Sequence, residues 1–220
     1  RLITLTETSP ETALAIQQGV FPHTGKAHLV GITGPAGAGK STLIAKLAAI
    51  LASSGQKVAV VACDPSSPIS GGALLGDRIR MHDLIFNKNV FIRSIATGSS
   101  VGGVPLAAFR AADILDACGF NTVIIETVGT GQNQVDIMQA AHTIIAVSAP
   151  GLGDDIQAMK SGLLEIADIH AITKSDLAGA SKTLGVTLVE LSLQRPLIIT
   201  DSFMVQSGHS ATLAEQLGEA

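Results

Sequence analysis

Seven short apolar runs, at residues 29–32, 58–62, 90–95, 123–125, 144–147, 169–172 and 197–199, recur along the chain, most with no polar residue alternating inside them. A strand wet on one face alternates polar with apolar residues, so runs of this kind belong to strands covered on both faces. Between them, residues 41–53, 105–117, 134–141, 155–167, 182–194 and 211–217 carry helical spacing. Strand alternating with helix implies right-handed crossovers and an α/β fold with a mostly parallel, doubly wound sheet flanked by helices. With 220 residues and 46% hydrophobic content the chain can bury one sizeable core, and no second domain is expected. Residues 1–27 read as a partial helical extension with a short helical piece at 13–17, leaving 28–220 as the main domain.

The formal net charge of -4 and only 14 Lys and Arg provide no field that would recruit nucleic acid or an anionic membrane, so neither partner is expected. No apolar run approaches the ~20 residues of a membrane span, and the opening Arg1-Leu2-Ile3 does not resemble a secretory signal. Cys63 and Cys118 stand far apart in apolar stretches and read as small core residues of a reduced compartment. That compartment is the cytoplasm, or the mitochondrion in a eukaryote. The six histidines form no cluster with ligand spacing and read as surface or loop residues.

Glycine clusters at 34–39, 71–76, 98–103, 129–131 and 151–153 fall where strands hand over to helices. In an open parallel sheet, ligands bind outside the carboxyl ends of the strands, so these loops can converge on one site. The first cluster, Gly34-Pro35-Ala36-Gly37-Ala38-Gly39-Lys40-Ser41-Thr42, has the spacing G-x-x-x-x-G-K-[ST] between a strand and a helix, the context of a P-loop NTPase. Its backbone N–H groups would face phosphate oxygens, Lys40 would reach the β and γ phosphates, and the Ser41 hydroxyl would hold Mg²⁺.

Glu126-Thr127-Val128-Gly129 follows the run at 123–125, where many G proteins carry D-x-x-G. Its carboxylate would hold a Mg²⁺-bound water, and the Gly129 N–H would sense the γ-phosphate. Thr173-Lys174-Ser175-Asp176 follows the run at 169–172 and corresponds to the base-reading N-K-x-D. There Asp176 would accept from guanine N1 and N2, which favours GTP over ATP, while the Lys174 stem would pack along the base. Thr173 in place of Asn is expected to shorten the reach toward the P-loop. The competing reading of Asp176 is a cap on the following helix.

The segments joining these motifs resemble the MeaB/ArgK GTPases, the methylmalonic aciduria type A-like family, which act with adenosylcobalamin-dependent acyl-CoA mutases. The resemblance rests on Cys63-Asp64-Pro65-Ser66-Ser67, Gly76-Asp77-Arg78-Ile79-Arg80-Met81, Glu126-Thr127-Val128-Gly129-Thr130-Gly131-Gln132 and the stretch from Pro150 through Asp154-Asp155 to Lys160. It implies that Asp64 binds Mg²⁺ through water or orients the attacking water, and that Asp77 is a further acid near the metal. For Asp77 the competing reading is a solvated helix start with i, i+3 charge pairing. Lys160, on a third switch, would relay nucleotide state to the mutase, joining Lys40, Asp64 and Glu126 as residues carrying the reaction or its coupling. Ser202 and Phe203 fall where the fifth guanine-site element is expected. A homodimer is implied too, formed in the family through a C-terminal helical extension longer than the one here.

The resulting expectation is a Mg²⁺-dependent GTPase that cycles between GTP and GDP as a switch and serves a mutase as a chaperone. Two other readings stand beside it. A nickel-enzyme maturation GTPase would need a Cys/His metal motif near the P-loop, where Cys63 stands alone. A small-molecule kinase or ATPase would need an acceptor lid and an Asp base, for which Asp64 is available.

Overall fold

The computed structural model describes residues 1–64, 81, 84–96, 104–127, 141–150, 167–177 and 197–199. Its frame is a seven-stranded sheet of β1 (His28–Thr33), β2 (Val58–Asp64), β3 (Val90–Ala96), β4 (Thr122–Glu126), β5 (Thr143–Ser148), β6 (Ile169–Ile172) and β7 (Leu197–Ile199). The strands lie in the order β3-β2-β4-β1-β5-β6-β7, and each neighbouring pair is parallel. All seven apolar runs therefore form strands, and their parallel pairing requires a crossover connection rather than a tight hairpin between them.

Successive residues of a strand point to opposite faces, and in β2, β4, β5 and β6 nearly every residue on either face is buried. Val58, Val60, Ile124, Ile145 and Val147 pack with Ile44, Leu47 and Leu51 of α3 (Lys40–Ser53). Ala59, Val61, Val123, Ile125 and Ile144 pack instead with Ala108, Ala111 and Leu115 of α4 (Leu106–Ala117). Each fully buried Ile, Leu or Val contributes about 1.5–3 kcal/mol, which explains how a core almost without aromatic residues holds together.

Residues 1–27 contain more helix than the sequence suggests. In place of one short piece there are α1 (Leu2–Thr8) and α2 (Pro10–Val20), followed by a 3₁₀ turn at Phe21–His23. Ser9 caps α2, its hydroxyl accepting from the Thr12 N–H at 3.3 Å, and Pro10 starts the helix where its missing N–H costs nothing. The threonines of α1 disfavour helix, and tertiary packing overrides them. Ile3 is buried in the α4-side core, and Thr6 returns its hydroxyl to the Ile3 carbonyl at 2.7 Å. Gln17 donates to Asp113 of α4, and Arg93 of β3 pairs with Glu7. Asp116, buried near the end of α4, accepts from the N–H groups of Gly25 at 2.6 Å, Lys26 at 3.2 Å and Ala27 at 2.9 Å. This carboxylate fixes the chain where it leaves the N-terminal helices and enters β1.

Candidate nucleotide-binding site

The turn from β1 into α3 is shaped by three glycines with positive φ, at 143° for Gly34, 79° for Gly37 and 87° for Gly39. At Gly34 the reason is also spatial, because a Cβ there would lie 2.1 Å from the Val147 carbonyl oxygen of β5. Gly39 begins α3 without a capping side chain, and the first turn of α3 holds no acidic residue. That is the arrangement of a helix start open to an anion. The Lys40 ammonium lies within the loop, donating to the carbonyls of Gly34 at 2.9 Å and Pro35 at 3.1 Å.

Beside this cradle the end of β4 brings Glu126 to the first turn of α3, and Asp64 ends the neighbouring strand β2. Glu126 lies opposite Ile32 on β1 and Ala62 on β2, and Asp64 stands two residues beyond Ala62. The Ser41 hydroxyl donates to Glu126 Oε1 at 3.1 Å. Asp64 and Glu126 are each only 4% exposed. Two carboxylates this deep are stable only in strongly polar or cationic company. A hydroxyl with two carboxylates is an all-oxygen set of the kind that suits Mg²⁺, so the residues present fit the metal.

The third part comes from the end of β6. The Thr173 N–H donates to the Ser148 carbonyl at 2.8 Å, and its hydroxyl reaches the Ala38 carbonyl within the P-loop, with Ser148 O also 3.1 Å away. Short as its side chain is beside asparagine's, threonine touches the P-loop directly. Gly39 lies alongside: a Cβ there would meet Thr173 Oγ1 at 3.4 Å, an ordinary contact, so it is the φ of 87° rather than space that asks for glycine. Lys174, at φ 54°, turns across the loop so that its Nζ donates to the Gly37 carbonyl at 2.8 Å. Asp176 follows in an exposed turn closed by the Leu177 N–H on the Lys174 carbonyl at 3.0 Å.

Comparison with known proteins agrees with this geometry. Residues 1–207 match the family described as Methylmalonyl Co-A mutase-associated GTPase MeaB. The chain belongs to this family. A Pyrococcus abyssi protein named as a GTPase is 52% identical over 183 residues, covering 83% of this chain and 56% of that protein. GTPase ArgK of Escherichia coli is 40% identical over 157 residues, covering 71% of this chain and 47% of ArgK. The chain thus spans about half the length of these relatives. A crystal structure of a LAO/AO transport system kinase superposes with a TM-score of 0.71 at 23% identity, covering 99% of this chain and 74% of that one, a likeness of fold.

In this MeaB-family chain the structure gathers Gly34 to Thr42, Asp64, Glu126, Thr173 and Lys174 at the carboxyl ends of the strands. Asp77, Gly129, Lys160, Ser202 and Phe203 lie outside the described residues. Two sequence expectations are corrected. Cys63 is buried as expected, its thiol pushed far up by burial and then by the charges of Asp64 and Glu126, but Cys118 is exposed just past α4. His170 is buried within β6 and His28 lies half-buried on β1, its imidazole pushed down by burial and then by His142, so neither is a loop residue. Thr33 and Thr127, which the motifs do not mark as polar contacts, join their hydroxyls at 3.0 Å between the P-loop strand and the Glu126 strand.

Proposed function

We propose that this chain binds GTP and hydrolyses it slowly to GDP and phosphate with Mg²⁺, acting as a switch. The observation that carries the reading is the docking of Thr173 and Lys174 on the P-loop carbonyls, which sets the Asp176 turn beside the phosphate cradle. Lys40 would exchange its bonds to the Gly34 and Pro35 carbonyls for phosphate oxygens, and the N–H groups at the α3 start would hold the same anion. Ser41, Glu126 and Asp64 would hold Mg²⁺, which when bound neutralises charge on the β and γ phosphates. Asp64 would also orient the attacking water, and Asp176 would accept from the guanine N1 and N2 donors.

The switch serves, in this reading, an adenosylcobalamin-dependent acyl-CoA mutase, supported by the family's description as mutase-associated. Residues 1–27 form its helical extension and 28–220 its GTPase domain. In this reading the protein works in a reduced compartment, without nucleic acid or membrane, and Asp77, Gly129, Lys160, Ser202 and Phe203 take the expected roles. The test is a fluorescent-GDP displacement titration with GTP and ATP, followed by phosphate release with and without Mg²⁺ and with cobalamin-dependent mutases added. Displacement by GTP alone, with release that needs Mg²⁺ and rises with a mutase, is expected. Equal displacement by ATP overturns the guanine reading, and release indifferent to every mutase overturns the partner.

A further inference from the structure

The ladder between β1 and β4 ends at the Ile32–Glu126 pair, where the Thr127 N–H donates to the Ile32 carbonyl at 3.0 Å. One step further, the Thr127 hydroxyl donates to Thr33 Oγ1 at 3.0 Å, with the Ile32 carbonyl 3.5 Å from the same oxygen. Thr33 is 0% exposed and Thr127 2%. Packing alone does not ask for two hydroxyls here. Valine fills nearly the same space, suits a strand equally well and carries no polar group to desolvate. The pair does occupy a telling place. Thr33 immediately precedes Gly34 of the P-loop, and Thr127 immediately follows Glu126. The 3.1 Å contact between Ser41 and Glu126 therefore spans two segments that this hydroxyl bridge also joins, one residue beyond Ile32 and Glu126.

We propose that Thr33 and Thr127 are positioning residues whose bridge clamps the end of β4 to the end of β1, so that Glu126 stays in reach of Ser41. The bridge sets how strongly Mg²⁺ and guanine nucleotide reinforce each other's binding. Neither hydroxyl touches the ligand in this scheme, which rests on the nucleotide and metal reading above. A clamp that holds two halves of a metal site together raises the affinity of the assembled site by about the worth of its own hydrogen bond.

The experiment compares fluorescent-GDP affinity in Mg²⁺ and in EDTA for the 220-residue chain and its Thr127→Val, Thr33→Val, Thr127→Ser and double-valine variants, with melting temperatures as a folding check. Each valine variant should lower the Mg²⁺ enhancement of affinity roughly three- to tenfold, the range of one net hydrogen bond, while affinity in EDTA stays within about twofold. Thr127→Ser should keep the enhancement. The double variant should lose no more than either single one, because both remove the same bond. If Thr127→Val does not fold, Thr33→Val carries the comparison. An unchanged enhancement in a folded valine variant, or losses that add in the double, would overturn the clamp alone. A parent protein with no Mg²⁺ enhancement would overturn the metal reading, and the clamp with it.

Discussion

Replacing Thr173 by valine removes one hydroxyl and changes little else, so its effect can be worked from the hydrogen bonds. The hydroxyl has one hydrogen and two carbonyls within reach, those of Ala38 and Ser148. Ser148 O also accepts from the Thr173 N–H at 2.8 Å, so the valine variant leaves it partnered. The loss falls on the buried Ala38 carbonyl in the P-loop. Stranding a buried acceptor costs about 1–3 kcal/mol. If the base-reading turn must sit against the P-loop to bind guanine, about 2 kcal/mol of this appears as a loss near thirtyfold in GDP affinity. Fluorescent-GDP titration measures it, and a thermal melt run beside it separates affinity from folding. Thr173→Ser keeps the hydroxyl and should bind within about threefold of the parent. The reasoning fails if the valine variant melts lower yet binds GDP as the parent does, for the contact would then be packing without consequence for the site.

Lys40→Ala should fold yet bind triphosphate on the order of 100-fold more weakly, because a charge-assisted contact to two phosphates is gone while the glycine turn persists; calorimetric titration checks it, and unchanged affinity would remove the lysine from the site. Asp176→Asn should shift preference from guanine toward xanthine, whose C2 oxygen needs a donor where the guanine amino group needed an acceptor. Competition between XDP and GDP reads this out, and preference unmoved from the parent's would leave Asp176 as a turn residue only. Asp116→Ala strands the N–H groups of Gly25, Lys26 and Ala27 and should cost about 3 kcal/mol, a fall in Tm on the order of 6–12 °C, with nucleotide affinity little changed.

What could be seen in the sequence, and what could not, divides by the range of the interaction. The strands were legible because a buried parallel sheet writes apolar residues on consecutive positions, and their ends ran past the apolar runs where polar residues continue the ladder, as at His28, Thr33, Asp64 and Glu126. The P-loop was legible because its glycines answer a local demand of backbone and space. The place of Glu126 at a strand's carboxyl end was legible from the apolar run just before it. Helices α1 and α2 were underestimated because the Ser9-Pro10 start signal sits between threonine-rich and mixed segments whose helicity depends on packing against α4. The grip of Thr173 on Ala38 spans 135 residues and the Thr33–Thr127 bridge 94. Each depends on which strands are neighbours. Only the order β4-β1-β5-β6 brings Thr127 to one side of the P-loop strand, and on the other carries the β6 end within reach of Ala38 across β5. A threonine at such a place reads in sequence as an ordinary β-former. Its hydroxyl acquires work only when the register sets another polar group across from it, so the couplings between the three parts of the site are properties of the sheet order, while the parts themselves are properties of short stretches of chain.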